Sequence, residues 1–184
     1  MAQPGEVIEN PIHSTRIVFR KTEGQTEGAS VEMDFFMAPG GSVGGAHIHA
    51  IHRERMTVVS GTFHARLGKR RVMAGPGETI DVPAGSVHDL WNEGSDEAHL
   101  ILELMPGAKA AELFETIYGL ARDGKLKRNG RPRLLQGAVI AKEYAAYLPR
   151  PAVSIQKPGV ALLAAVGGLL GRRPRYERYS AGGM

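Results

Sequence analysis

The 184-residue chain contains no cysteine, which excludes disulfides, thiolate metal sites and a cysteine nucleophile and agrees with a reducing cytoplasm. It has a single tryptophan and only 6% aromatic residues. No apolar stretch reaches the about 20 residues of an ordinary membrane-spanning helix; the longest run covers 160–170. The start, MAQPGEVIENP, has no basic segment followed by an apolar one, so no secretory signal is read there. There is no phosphate-binding loop, no G-x-S-x-G, no paired-Cys motif and no internal repeat. The expectation is a cytoplasmic protein with no integral membrane span.

What the chain does have is 24 glycines and 11 prolines, a composition suited to short strands joined by tight turns. Apolar and β-branched stretches recur at 17–19, 31–37, 56–59, 62–67, 79–82, 87–91 and 100–105, separated by turn signals such as Gly40-Gly41, Ser60-Gly61 and Pro83-Ala84-Gly85. Such regular spacing predicts a sandwich or barrel. After Met105-Pro106-Gly107 the period changes to a helical one. Helices are expected over 109–123, where Leu113, Ile117, Leu120 and Ala121 share a face, over 134–148, and over 158–170 with Pro158 in its opening turn. The tail from Tyr179 to Met184 reads as frayed.

Charge divides at the same place. Residues 1–105 hold 9 Lys/Arg and 14 Asp/Glu, a net of −5, whereas 106–184 hold 14 and 5, a net of +9, and all seven histidines fall in the first part. Two regions follow: 1–107 as a β-barrel and 108–184 as a basic helical extension that packs on the barrel or on a dimer partner. The basic part lacks aromatic interleaving or a nucleic-acid motif, so no nucleic-acid partner is expected.

Two spaced sets of residues carry chemistry. Gly41, His47, His49, Glu54 and Gly61 form G-x5-H-x-H-x4-E-x6-G; Gly77, Pro83, Gly85, His88 and Asn92 form G-x5-P-x-G-x2-H-x3-N. His47 and His49 stand two apart, so on a strand both imidazoles project from one face. Glu54 has the wrong parity for the same straight strand, and a bend at 50–53 must redirect the chain. His88 follows a Pro-x-Gly turn that launches a strand elsewhere in the sheet. Three neutral imidazoles and a carboxylate suit a borderline divalent ion and leave positions open on an octahedral metal. Binding is expected to weaken as pH falls through the histidine range.

Both sets match the two cupin motifs at every signature position, and the sequence resembles a single-domain cupin over roughly residues 30–105. The resemblance implies a mainly β fold, the cupin jelly-roll barrel or double-stranded β-helix, here with a C-terminal α-helical extension. It implies His47, His49, Glu54 and His88 as ligands of one divalent transition metal per chain (Fe, Mn, Ni or Zn), a small-molecule ligand in the barrel, and a homodimer. The functions it implies are those of a small-molecule metalloenzyme, Fe(II)-dioxygenase-like or a metal-dependent isomerase or decarboxylase. The alternative is a non-catalytic module that binds or senses a small ligand or metal.

Catalytic residues are not fixed by the motifs; His52, His64 and His99 are the remaining neutral-pH candidates. Met56 and Val58 share parity with Glu54 and should line the cavity, Trp91 should face away from it, and Arg53 and Arg55 read as solvated charges. The helix at 158–170 has no polar face, which predicts burial within the subunit or between subunits. Its rival role is a surface anchor, with Arg172, Arg173, Arg175 and Arg178 on anionic headgroups.

Overall fold

The alternation of apolar and polar residues in 31–37 and 98–105 dictates the first sheet. In this computed structural model, which describes residues 2–180, Val31, Met33, Phe35 and Met37 on β3 (Val31–Met37) and Ala98, Leu100, Leu102 and Leu104 on β10 (Ala98–Met105) are all buried. The two strands pair antiparallel, Leu100 opposite Phe35, so their inward faces coincide. With β1 (Val7–Asn10), β2 (Thr15–Lys21), β5 (Arg53–Ser60) and β8 (Thr79–Val82) they form a six-stranded antiparallel sheet in the order β1-β2-β3-β10-β5-β8.

A second sheet, β7-β6-β9, is built from β6 (Phe63–Leu67), β7 (Arg70–Ala74) and β9 (His88–Trp91). It continues through the antiparallel bridge His47↔His88 to β4 (Ile48–His49) and its partner β11 (Ala146–Tyr147). Side chains of both sheets, among them Phe63, Ala65 and Leu90 from the second, meet in one apolar core. This is the expected jelly roll. At the β5–β6 turn Gly61 is in the left-handed region (φ 75), and a Cβ there would stand 2.7 Å from the Glu97 carbonyl oxygen. Only glycine fits.

The helices follow the sequence pattern with three departures. Helix α1 (Ala110–Arg122) buries Leu113, Leu120 and Ala121 as its periodicity predicts, and Tyr118 anchors it to β2 through a 2.9 Å bond between its hydroxyl and Thr15 Oγ1. Helix α2 (Leu134–Tyr144) ends four residues early. Ala145 turns left-handed, its carbonyl accepts from the Ala50 N–H at 2.9 Å, and the next two residues become β11. Strand pairing with β4 overrides local helical preference.

Helix α3 (Val153–Leu169) begins five residues before the expected start, with Pro158 inside it. Proline there removes one donor, to the carbonyl of exposed Ser154. The larger correction is to burial within the subunit. Within the subunit only Ala164 and Gly167 of the apolar helix are buried against α2, with Val160 and Leu163 partly buried beside them, while Ile155, Leu162, Leu169 and Leu170 are 67, 68, 89 and 64% exposed. Gly167 does permit the close approach its size suggests: a Cβ would lie 3.1 Å from the Leu135 carbonyl oxygen on α2.

The tail is also more ordered than its composition suggests. Tyr179 and Ser180 are buried, the Tyr179 ring fills the space a Cβ on Gly119 would need, and its hydroxyl donates to Asp123 at 2.7 Å. Residues 181–184, the rest of the stretch read as frayed, lie outside the described residues. Among the described residues no helix is long and apolar enough to cross a membrane.

Candidate metal centre and its cavity

His47 and His88 face each other across a strand bridge: the N–H of each donates to the carbonyl of the other, at 2.9 and 3.0 Å. His49 is pinned from two sides. Its carbonyl accepts from Gly85 N–H at 2.8 Å, and Ala146 of β11 stands opposite it. Glu54 opens the inward face of β5, ahead of Met56 and Val58, once the chain has turned through 50–52. The motif glycine and the parity break thus have clear uses, and the four side chains converge.

Their ligand atoms all lie within 4.8 Å of one another. His47 Nε2 is 3.1 Å from His49 Nε2, His49 Nε2 is 3.1 Å from Glu54 Oε1, and His88 Nε2 is 3.5 Å from Glu54 Oε2. His47 Nδ1 lies 3.1 Å from the Gly45 carbonyl and His88 Nδ1 3.0 Å from that of Ser86. A carbonyl only accepts, so each Nδ1 carries the proton and each Nε2 presents a bare lone pair. That of His88 is buried with no hydrogen-bond partner. Adjacent donors on an ion with bonds of ~2.1 Å would stand ~3.0 Å apart in an octahedral set, close to the 3.1 Å spacings seen here. The donor set fits a divalent transition metal.

Burial, reinforced by the neighbouring imidazoles, pushes the pKa of both His47 and His49 down to about 3. Both rings are therefore neutral across the ordinary histidine range, and proton competition at these two donors begins lower than composition alone suggests.

Residues 33–105 match the family model of the cupin domain. Those residues form a cupin domain. Solved structures similar to this chain include a predicted oxalate decarboxylase from Thermotoga maritima, at 16% identity over 50% of this chain and 79% of that one with a TM-score of 0.47. KdgF from Halomonas sp. is 16% identical over 56% and 91%, with a TM-score of 0.49. An RmlC-like cupin from Shewanella frigidimarina is 15% identical over 58% and 88%, also at 0.49. No curated protein matches the sequence.

His47, His49 and Glu54 border a cavity of about 490 Å³. Its inner wall is apolar, with Phe35, Met56, Phe63, Leu90, Leu100 and Leu102 from the barrel. The outer wall comes from the extension: Leu113, Phe114 and Ile117 of α1, Ala138 and Ala141 of α2, Tyr147 of β11, and Val160 and Leu163 of α3. Met56 lines it as expected, whereas Val58 is buried in the core behind it.

The three candidate proton-transfer histidines lie off the cavity wall. His52 is buried behind the ligands, its Nδ1 2.6 Å from the Pro106 carbonyl and its ring 6.1 Å from that of His49. His64 stacks on Trp91 on the far side of the second sheet, beside Arg71 and Glu93, which pair with each other. His99 stacks on Phe36 and contacts Asp34 Oδ1 at 2.7 Å on the outer face of β10. Arg53 and Arg55 both pair with Asp81 at the surface.

Sequence reasoning missed His13, which does line the cavity. Its turn is held by Asn10 Oδ1, which accepts from the His13 N–H at 3.2 Å. The ring is clamped between Gly44 and Gly130, where a Cβ would stand 2.8 and 1.8 Å from Nε2. Burial lowers its pKa, opposed by a hydrogen bond to the Gly130 backbone. Tyr118, also on the wall, is pushed upward by burial. No sequence spacing links residue 13 to residue 130; only the glycines at both contacts hint at close approach.

Proposed function

We propose that the chain is a small-molecule metalloenzyme with a mononuclear centre of three histidines and one glutamate, His47, His49, Glu54 and His88, acting on a compound held in the barrel cavity. The observation that carries this reading is the convergence of four ligand atoms within 4.8 Å beside an apolar cavity of about 490 Å³. An ion bound there would polarise a substrate oxygen as a Lewis acid. The residues of the chain do the rest. Ser86 and Gly45 carbonyls orient two of the imidazoles, and the aromatic and aliphatic walls exclude water and hold an apolar body.

Four protein donors leave room for substrate and a second small molecule on an octahedral ion, which favours Fe(II)-dependent dioxygenation over isomerisation or decarboxylation. Metal analysis of untagged protein followed by oxygen-consumption screening with apolar carboxylates and diols tests this. Oxygen uptake that depends on Fe(II) and disappears in Glu54→Ala supports it. Full metal loading with no turnover across oxidative, isomerase and decarboxylase assays would instead support a binding or sensing module. The wall gives that second reading some support: beyond the ligands its titratable groups are few, and burial holds His13 toward its neutral form and raises Tyr118.

The same reading makes the extension a structural partner of the barrel and of a second copy. The exposed apolar ridge of α3 supplies a homodimer surface.

A further inference from the structure

Of the 14 Lys/Arg in residues 106–184, four form ion pairs within the chain: Arg175 with Glu112, Arg178 and Lys125 with Asp123, and Lys109 with Glu143. Among the others, two stand at the cavity. Lys127 and Arg131 border the cavity and have no carboxylate within ion-pairing distance among the described residues. They sit on one small loop, closed by the bridge Leu126↔Pro132 and by the bond from Lys127 N–H to the Arg131 carbonyl at 2.9 Å.

Arg131 is fixed in place. Its Nε donates to the Gly44 carbonyl at 3.2 Å, and a Cβ at Gly45 would lie 3.0 Å from Nη2. The guanidinium therefore rests on the Gly44-Gly45 turn, two residues from His47, whose own Nδ1 bonds to Gly45. One edge of the fork is used by the protein and the remaining N–H groups are left for something else.

We infer that the cavity takes an amphipathic anion, an apolar body with a carboxylate or similar group, and that Arg131 with Lys127 selects the charged end. The inference rests on reading the cavity as the ligand site. The cavity volume of about 490 Å³ lies in the range of sites for ring-sized organic ligands. Its walls reward an apolar body, a neutral polar molecule would leave those walls unmatched, and an uncharged apolar one would leave the fixed guanidinium unpaired. A charge-assisted bond to a prepositioned arginine satisfies both ends.

Titration calorimetry of the full-length protein with 2-naphthoate and with 2-naphthalenemethanol separates the charge from the apolar body. The metal content of every sample is matched. Wild type should bind the acid about tenfold more tightly than the alcohol, the range of one charge-assisted hydrogen bond. Arg131→Gln should lose about that factor for the acid and change the alcohol less than about twofold, and Arg131→Lys should recover part of it. Lys127→Gln, at an exposed position, gives a smaller loss of the same selective kind. Equal binding of acid and alcohol by wild type, or a loss in Arg131→Gln that falls on both alike, overturns the inference while leaving the cavity reading intact. Binding of neither probe overturns both.

Discussion

His47 and His49 are desolvated and sit beside other imidazoles, and this has a measurable consequence for folding. In the unfolded chain both imidazoles take up protons below the ordinary value of 6.5, whereas in the fold they do so only near 3. Between these limits the unfolded state binds more protons, so stability is fully present above about pH 6.5 and falls as pH is lowered toward 3. Each imidazole contributes up to about 1.4 kcal/mol per pH unit inside that window, and His13, also depressed by burial, acts in the same direction. Urea denaturation of metal-free protein at pH 7 and pH 5 checks this. The expected result is a lower midpoint at pH 5 in wild type and a smaller drop in His49→Asn, which has no imidazole to protonate. The four converging residues were legible because their spacing matches a motif. His13 and Arg131 were not, because their relevance comes from contacts across 117 and 87 residues of chain, with Gly130 and Gly44 respectively.

At the scale of elements, strands whose sides alternate in polarity were readable almost to the residue: β3 and β8 coincide with their expected spans. The short or polar ones were not. β7, Arg70–Ala74, presents two arginines and pairs with β6 alone, so its identity comes from its neighbour. β4 and β11 are two residues each and exist because they pair with one another. That pairing also explains the early end of α2 and ties the extension to the strand carrying His49. The apolar helix α3 reads as buried from composition, yet one chain covers only a narrow face of it. Of the arginines that could have served a membrane role, Arg175 and Arg178 are already paired to Glu112 and Asp123, which leaves fewer charges for headgroups and favours a protein partner. If a second copy covers α3, the double substitution Leu162→Gln and Leu169→Gln should raise the dimer dissociation constant at least about tenfold, since two large apolar side chains are removed from the contact. Sedimentation equilibrium gives the answer. A wild-type monomer that co-pelleted with anionic vesicles would favour the anchor role instead.

For the molecule as a whole, the barrel has an apolar core that does not involve the metal ligands. Ile17, Met33, Phe63, Leu100 and Leu104 are fully or almost fully buried there. An ion bound by the four residues would therefore be a functional component in a fold expected to stand without it, unlike a zinc finger. Chelation should lower the melting temperature, by the mass-action stabilisation that ligand binding supplies, and leave a single cooperative transition in calorimetry. A non-cooperative melt of the metal-free protein would mean that the barrel depends on its ion. The extension shares with the barrel the wall of the cavity whose inner end the barrel motifs define. The sequence division at residue 107 marks a change of secondary structure and charge, and the cavity spans it.

The central claim is that His47, His49, Glu54 and His88 together hold one divalent ion, and Co²⁺ binding tests it most directly. Equilibrium dialysis of metal-free wild type at pH 7.5 (about one unit above the ordinary histidine pKa) should give about one Co²⁺ per chain. The visible spectrum should be that of a nitrogen- and oxygen-coordinated ion. His88→Ala, verified as folded by circular dichroism, should bind at least about 100-fold more weakly, more than the loss typical of an outer-shell change. Undiminished stoichiometry and affinity in folded His88→Ala, or no Co²⁺ uptake by wild type, would contradict the account.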